Sequence, residues 1–362
     1  MRIVLNRSEI GYRSHIDLKS MRVTDHHEDE DLTVGFDSVT RGSLNDILPI
    51  VGESAGHVIS TEERAAMSTY LGHDQVDWVR VLGTRETAIR LKEYAVLLKR
   101  KVSKVDERGY LAHITRGRRI LERLQPFGVD TSPEFSSDKF SSFATDESGF
   151  TMQVRYSHDT STGRLRVQEG PKVLTLAKEH RKIVRSRFSG GKIMSVDFVS
   201  LEPRLALHAT GRKSGLDPYE DVAHSLGTSR ASAKIATISF LYGAGGNEDV
   251  KSKVRSAFGA DELLRKIQEG GWFNAFGRPL PECEERLVIP HWVQSSAVDV
   301  ALQGFSDITD DIASGIVPLF MVHDELFLDV RQDRVPDVEK IASQGVSNEL
   351  LGHFPLSTKV VS

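Results

Sequence analysis

Only one cysteine, Cys283, occurs in the 362 residues, so no internal disulfide can staple the chain, and a small secreted disulfide scaffold is excluded. No apolar run approaches the roughly 18 residues needed to cross a bilayer, which argues against a membrane-spanning protein and a membrane partner. The opening MRIVLNRSEIGYRSH has no apolar stretch behind its early arginine. It does not read as a signal peptide, and the expected compartment is the cytoplasm. Low-complexity bias is missing, and neither sign of charge dominates: 47 Lys and Arg against 51 Asp and Glu leave a net charge of -4. What is there is ordinary globular composition, 39% hydrophobic and 27% charged. At about 150 residues per domain that is enough for roughly two domains with a substantial core.

Charge is uneven along the chain. From Arg80 to Arg123 thirteen Lys or Arg stand against five acids, densest at Lys99, Arg100 and Lys101. The stretch reads as two helices. Thr84 starts an apolar stripe of Leu91, Ala95 and Leu98, and Arg108-Gly109 interrupts before a second helix around Ile114 to Leu124. A basic helical pair suits a phosphate backbone, and a solvated face with no ligand is the alternative. The acidic run Asp25 to Asp31, with His26 and His27, reads as a solvated loop rather than a metal site.

Beyond residue 150 strands and helices alternate irregularly. Phe150 to Tyr156 alternates like a strand and Ile193 to Phe198 reads as a buried strand. Ile316 to Val322 and Leu326 to Val330 form an expected hairpin turning at His323-Asp324. Helical spacing covers Ser229 to Leu241 and the set Val293, Ala297, Ala301, Phe305, Ile308 and Ile312. The expected class is α+β, with acids at strand ends: Asp197 closes one strand, and Asp324-Glu325 sits at the hairpin tip. Neighbouring strand-end carboxylates can hold two divalent cations for in-line phosphoryl transfer, although a lone strand-end aspartate is more often a turn residue. Arg230, Lys234, Ile238 and Tyr242 recur every four residues, so they step along one helix face with a drift of only about 40° each time. Two cations and a ring on one face suit a polyphosphate and a base.

Three segments resemble motifs A, B and C of the family A DNA polymerases. DFVSLEPR (Asp197 to Arg204) is similar to D-Y-S-x-I-E-L-R, RASAKIATISFLYG (Arg230 to Gly243) fits R-x3-K-x7-Y-G, and VHDE (Val322 to Glu325) corresponds to the third. TGRL at Thr162, GRPLP at Gly277, Arg286, and VQSSAVD at Val293 extend the likeness over roughly residues 146 to 330. The resemblance implies a right-hand polymerase with an antiparallel palm sheet and helical fingers and thumb. Its parts would be an N-terminal region (1–79), a basic thumb-like region (80–149), palm (150–215), fingers (216–285) and palm again (286–362).

The resemblance further implies that Asp197 and Asp324, helped by the main-chain carbonyl of Phe198, bind two Mg2+, for which Mn2+ may substitute, with Glu325 an auxiliary carboxylate. Arg230 and Lys234 would meet the dNTP triphosphate, Lys234 donating a proton to departing pyrophosphate. Tyr242 would close over the nascent pair, Ile238 would lie beside the nucleotide, and Glu202 would be the steric gate against a ribose 2′-OH. Arg164, Arg286, Gln294 and His323 would lie along the primer-template DNA, the first three reading minor-groove acceptors common to every base pair.

Several positions depart from the family pattern. Ile238 stands where the family has Phe or Tyr, the nearest aromatic being Phe240. Pro290 replaces an Asn, RVQEGPKVLTLA replaces D-P-N-L-Q-N-I-P, and the short stretch from Tyr242 to Gly277 implies trimmed fingers. Near the N-terminus, Asp37-Ser38-Val39 and Tyr70-x3-Asp74 resemble exonuclease motifs, but Val39 replaces an acid and only 32 residues separate Asp37 from Tyr70. A degenerate remnant and coincidence both stay open; either way no proofreading is expected. The chain reads as a minimal polymerase; a phage source would place it in host cytoplasm, with a separate exonuclease subunit or processivity factor as a candidate partner. The alternatives are a catalytically weak primer-template scaffold of a replication complex and, more remotely, a phosphohydrolase using His323-Asp324 with His26-His27.

Overall fold

The structure is a computed structural model, and it describes residues 3–5, 15–18, 20–24, 32–34, 61–71, 78–105, 108–135, 138–158, 160–244, 247–310, 312–348 and 351–362. The chain divides into two compact units, Met1–Thr115 and Arg116–Ser362.

In the first unit four short strands, β1 (Ile3–Leu5), β2 (His15–Asp17), β3 (Arg22–Thr24) and β4 (Leu32–Val34), form a sheet in the order β3-β2-β1-β4. Helices α1 (Thr61–Leu71), α2 (Trp78–Leu82) and α3 (Thr84–Val105) follow, and the unit ends inside α4 (Tyr110–Arg123). The expected α3 stripe is present: Leu91, Ala95 and Leu98 are buried, while Lys99 and Arg100 are exposed. The Lys101 side chain, Asp37, Val39, Asp74 and the acidic run with His26 and His27 lie outside the described residues.

The second unit starts with short pairings, β5 (Gly128–Val129) with β8 (Val184–Arg185) and β6 (Arg155–Ser157) with β7 (Arg166–Glu169). The strand expected over Phe150 to Tyr156 is therefore only partly formed. Phe150 bridges Gly128 and Thr151 bridges Thr145, so successive residues face different partners and no continuous ladder can run through them. Its centre is an antiparallel sheet of β9 (Lys192–Phe198), β10 (Ile316–Val322), β11 (Glu325–Val330) and β14 (Leu356–Val360), ordered β10-β11-β9-β14. Helices α5 (Leu201–Ala209), α6 (Pro218–Leu226), α7 (Arg230–Leu241), α8 (Glu248–Phe258) and α9 (Ala260–Glu269) lie between β9 and the 26-residue α10 (Glu285–Asp310). After the hairpin come α11 (Val335–Gln344), β12 (Val346–Asn348) and β13 (Gly352–Phe354).

The sheet's core is aromatic. Phe320 stacks on Phe327 at 4.5 Å, and the Phe198 ring meets Phe305 of α10 edge-on at 5.2 Å. Gly304 makes that approach possible, because a Cβ there would lie 3.0 Å from Phe198 and Val346. Part of the basic stretch is used in the same packing. Arg116 pairs with Asp307 at 2.8 Å and Arg123 with Asp310 at 2.6 Å, while Arg118 is buried. These ion pairs tie this part of the basic stretch to the end of α10. Among the described residues no helix is long and apolar enough to cross a membrane.

Candidate active site

Register places the acids. β9 and β11 pair so that Asp197 stands opposite Glu325, and Val322 pairs with Glu325 across a two-residue turn made of His323 and Asp324. The Phe198 amide donates to the Asp324 carbonyl at 3.2 Å, which ties the turn to the end of β9. Both bends carry a non-glycine residue in the left-handed region, His323 at φ 58° and Ser200, at the start of α5, at φ 55°. Such residues cluster where the surrounding fold holds a functional bend in place.

A cleft of about 430 Å³ opens above these bends. Ten of the residues singled out in the sequence line it: Arg164, Asp197, Phe198, Glu202, Arg230, Lys234, Tyr242, Gln294, His323 and Asp324. They come from β9, α5, α7, α10, the turn before β11 and the loop before β7, which nothing but this fold brings together.

The carboxylates are crowded. Burial and the charges of Asp324 and Glu325 push Asp197 up to about 7. Asp324 rises to about 6, through burial and the charges of Glu202 and Glu325 against the opposing pull of its own amide and Arg164. Glu325 pairs with Arg181 at 2.6 Å and is not part of the cleft lining. Burial, with Arg164 and Arg181 nearby, lowers His323 and favours its neutral form.

Arg164, Glu202 and Tyr242, which also line the cleft, form a triangle. Arg164 Nη2 donates to Glu202 Oε1 at 3.0 Å and to the Tyr242 hydroxyl at 2.6 Å, and that hydroxyl donates to Glu202 Oε1 at 3.2 Å. Burial raises Glu202 despite both bonds, and burial together with the Glu202 charge raises Tyr242 against the pull of Arg164.

Helix α7 begins at Ser229, whose hydroxyl accepts from the Ser232 amide, and presents Arg230 and Lys234 to the cleft. Arg230 is paired with Asp217 at 2.6 Å, and both cations lie over the ring of Tyr219, at 5.5 and 5.6 Å. Asp217 and Tyr219 went unrecognised in the sequence. Asp217-Pro218 is a legible helix start, but no spacing rule links it to Arg230 thirteen residues on.

Three expected site residues of this unit lie apart from the cleft lining. Ile238 is 38% exposed and belongs to the same helix face, yet it is absent from the cleft lining, which takes Lys234 before it and Tyr242 after it. Arg286 pairs with Glu284 at 2.6 Å and donates to the Gly243 carbonyl at 3.4 Å. Glu325 is the third, for the reason given above. Lys99 and Arg100 belong to the other compact unit.

Among the described residues no three His, Cys, Asp or Glu side chains gather tightly enough to enclose a metal by themselves. Magnesium is typically held by one or two carboxylates together with substrate phosphates. Asp197 and Asp324, two half-buried acids with raised affinity for protons on a cleft also lined by Arg230 and Lys234, could serve as a donor set of that kind.

No family model matches the sequence, and no curated protein matches it. Among solved structures the chain is similar to the POL domain of Pol1 from M. smegmatis in complex with DNA primer-template and dNTP. That likeness has a TM-score of 0.61 and covers 96% of this chain and 91% of that one, at 14% identity. At such identity the likeness is one of fold: the chain has the α+β architecture of a polymerase domain.

Proposed function

We propose that the chain is a template-directed DNA polymerase that adds dNTPs to a primer 3′ end by two-metal-ion nucleotidyl transfer. The observation that carries this reading is the convergence, in one cleft, of Asp197 and Asp324 with Arg230, Lys234, Glu202 and Tyr242 from separate segments. A binding scaffold needs no such combination of crowded acids and cations. The partners are primer-template DNA and dNTPs, and the five-part division of palm, fingers, thumb-like and N-terminal regions is part of the same proposal.

Asp197 and Asp324, with the Phe198 carbonyl, would hold two Mg2+, which when bound supply Lewis-acid stabilisation of the attacking and leaving oxygens. Arg230 and Lys234 bind the triphosphate and offset its charge, and Lys234 hands a proton to the departing pyrophosphate. Tyr219 supports both cations from below. Glu202, fixed by Arg164 and Tyr242, occupies the space a 2′-OH would need. Gln294 and Arg164 hold the primer-template in the cleft.

Primer extension on a defined template with four dNTPs and magnesium tests the reading. Product beyond the primer is expected; tight primer-template binding without extension would leave a scaffold instead. The same assay with a mismatched 3′ end should release no labelled mononucleotide, since Val39 stands where an exonuclease acid is required.

A further inference from the structure

Arg278 is completely buried, and among the described residues its Nε and Nη1 have no hydrogen-bond partner. A buried cation so poorly paired costs stability, so the contacts it does make call for a role. Those contacts are specific. Nη2 donates to the main-chain carbonyls of His158 and Thr160, at 3.3 and 3.4 Å. These residues open the turn that leads to Arg164.

The turn is tightly specified. The Gly163 amide donates to the Thr160 carbonyl at 3.0 Å, and the Thr160 hydroxyl donates to the Arg164 carbonyl at 2.9 Å. Gly163 has φ +73°, and a Cβ there would lie 1.8 Å from Nη1 of Arg278. The glycine of TGRL is thus required twice, for its backbone conformation and for the room the guanidinium fills.

Arg278 is itself held rigidly. Its amide donates to Asn274 Oδ1 at 2.9 Å, and Asn274 Nδ2 donates to buried Asp299 at 2.6 Å and to Ser295 at 3.1 Å, both on α10. A continuous buried network therefore runs from the helix that carries Gln294 to the loop that carries Arg164.

We propose that Arg278 is a positioning residue for Arg164. It fixes where Arg164 leaves its loop to meet Glu202 and Tyr242, and through that the register in which primer-template is held. The proposal rests on the polymerase reading of the cleft.

Extension kcat/KM, primer-template Kd and thermal melting are measured for wild type, Arg278→Lys, Thr160→Val and Arg164→Ala, and for each of the first two variants combined with Arg164→Ala. Lysine keeps the charge but lacks the planar fork. Thr160→Val removes one turn bond and leaves Arg278 intact, so it serves if Arg278→Lys fails to fold. Each single variant should lower kcat/KM roughly tenfold or more, the effect of a misplaced site group. On the Arg164→Ala background the same change should cost less than about twofold, because the affected group is gone. Equal losses in both backgrounds would overturn the proposal and make Arg278 a packing residue. Failure of the wild-type chain to extend a primer would instead remove the reading on which the proposal stands.

Discussion

Asp197 faces Glu325 across β9 and β11, yet the two carboxylates are treated differently: Arg181 pairs with Glu325 at 2.6 Å, while burial and the charges of Asp324 and Glu325 push Asp197 up to about 7. The sign of the stability effect follows. An acid whose folded pKa lies above its ordinary 3.8 binds more protons when folded than when unfolded between those values, so its contribution is favourable in acid and is lost as pH rises from about 4 to about 7. Asp197→Asn should therefore raise the melting temperature of the metal-free protein at pH 8, by about 2–4 °C for a unit of this size. The gain should shrink at pH 4.5. Asp324→Asn should behave alike, and both variants should lose extension while binding primer-template. A lower melting temperature for Asp197→Asn at pH 8 would contradict the crowding.

Arg230 is engaged by Asp217 at 2.6 Å and lies 3.8 Å from Glu220, so a triphosphate must compete with carboxylates of this chain. Asp217→Asn keeps an oxygen for the Tyr219 amide that Asp217 caps, and removes the charge. The dNTP KM should fall by about two- to fivefold, the range of a half-exposed ion pair, with kcat little changed. A KM that rises would mean that Asp217 orients Arg230 rather than competing for it.

Sequence alone made much of this legible, because the strongest signals are local. Strand β9, the β10–β11 hairpin turning at His323-Asp324 and helix α7 capped by Ser229 stand where periodicity put them, to within a residue, while α10 starts eight residues before the expected Val293 and ends before the expected Ile312. The motif residues of those elements meet in one cleft because the sheet register brings their ends together. What stayed hidden depends on partners far apart in the chain. Arg181 on Glu325, Asp217 and Tyr219 on Arg230, and Asp307 on Arg116 follow no spacing rule. The strand expected at Phe150 failed for a related reason: apolar alternation says which face is buried, but not whether one neighbour runs alongside the whole segment.

The basic stretch divides into two sets by where its members sit. Lys99 and Arg100 are exposed on α3, whereas Arg116 and Arg123 are tied to Asp307 and Asp310. Each phosphate neutralised contributes about -0.9 to the log-log salt slope of duplex binding. Charge reversal at Lys99, Arg100 and Lys101 together should flatten that slope with little change in melting temperature. Reversal at Arg116 and Arg123 should do the opposite, lowering the melting temperature and leaving the slope nearly unchanged. Equal slopes for the Lys99 set and wild type would make that face a solvated one.

Glu202 is the residue on which the choice of sugar should turn. Its carboxylate accepts from both Arg164 and Tyr242 at one oxygen, so it cannot swing aside without breaking bonds to two groups that line the same cleft. A side chain held that firmly excludes a 2′-OH by overlap, and a hydroxyl forced against it would leave buried polar atoms poorly paired. Glu202→Ala removes the obstacle and also frees Arg164 and Tyr242, so dNTP use should weaken while ribonucleotide use improves. The ratio of kcat/KM for dNTP over rNTP should fall on the order of 10²-fold, the scale that steric and polar exclusion can reach. Glu202→Gln separates the two roles, since it keeps the shape and an acceptor but drops the charge that holds Arg164. That variant should retain most of the sugar selectivity and lose mainly affinity for primer-template. Ile238, apart from the cleft lining, gives the sugar no ring to rest on, so discrimination should depend on Glu202 alone. An unchanged ratio in Glu202→Ala would make Glu202 a structural acid for Arg164 and Tyr242, with no part in choosing the sugar.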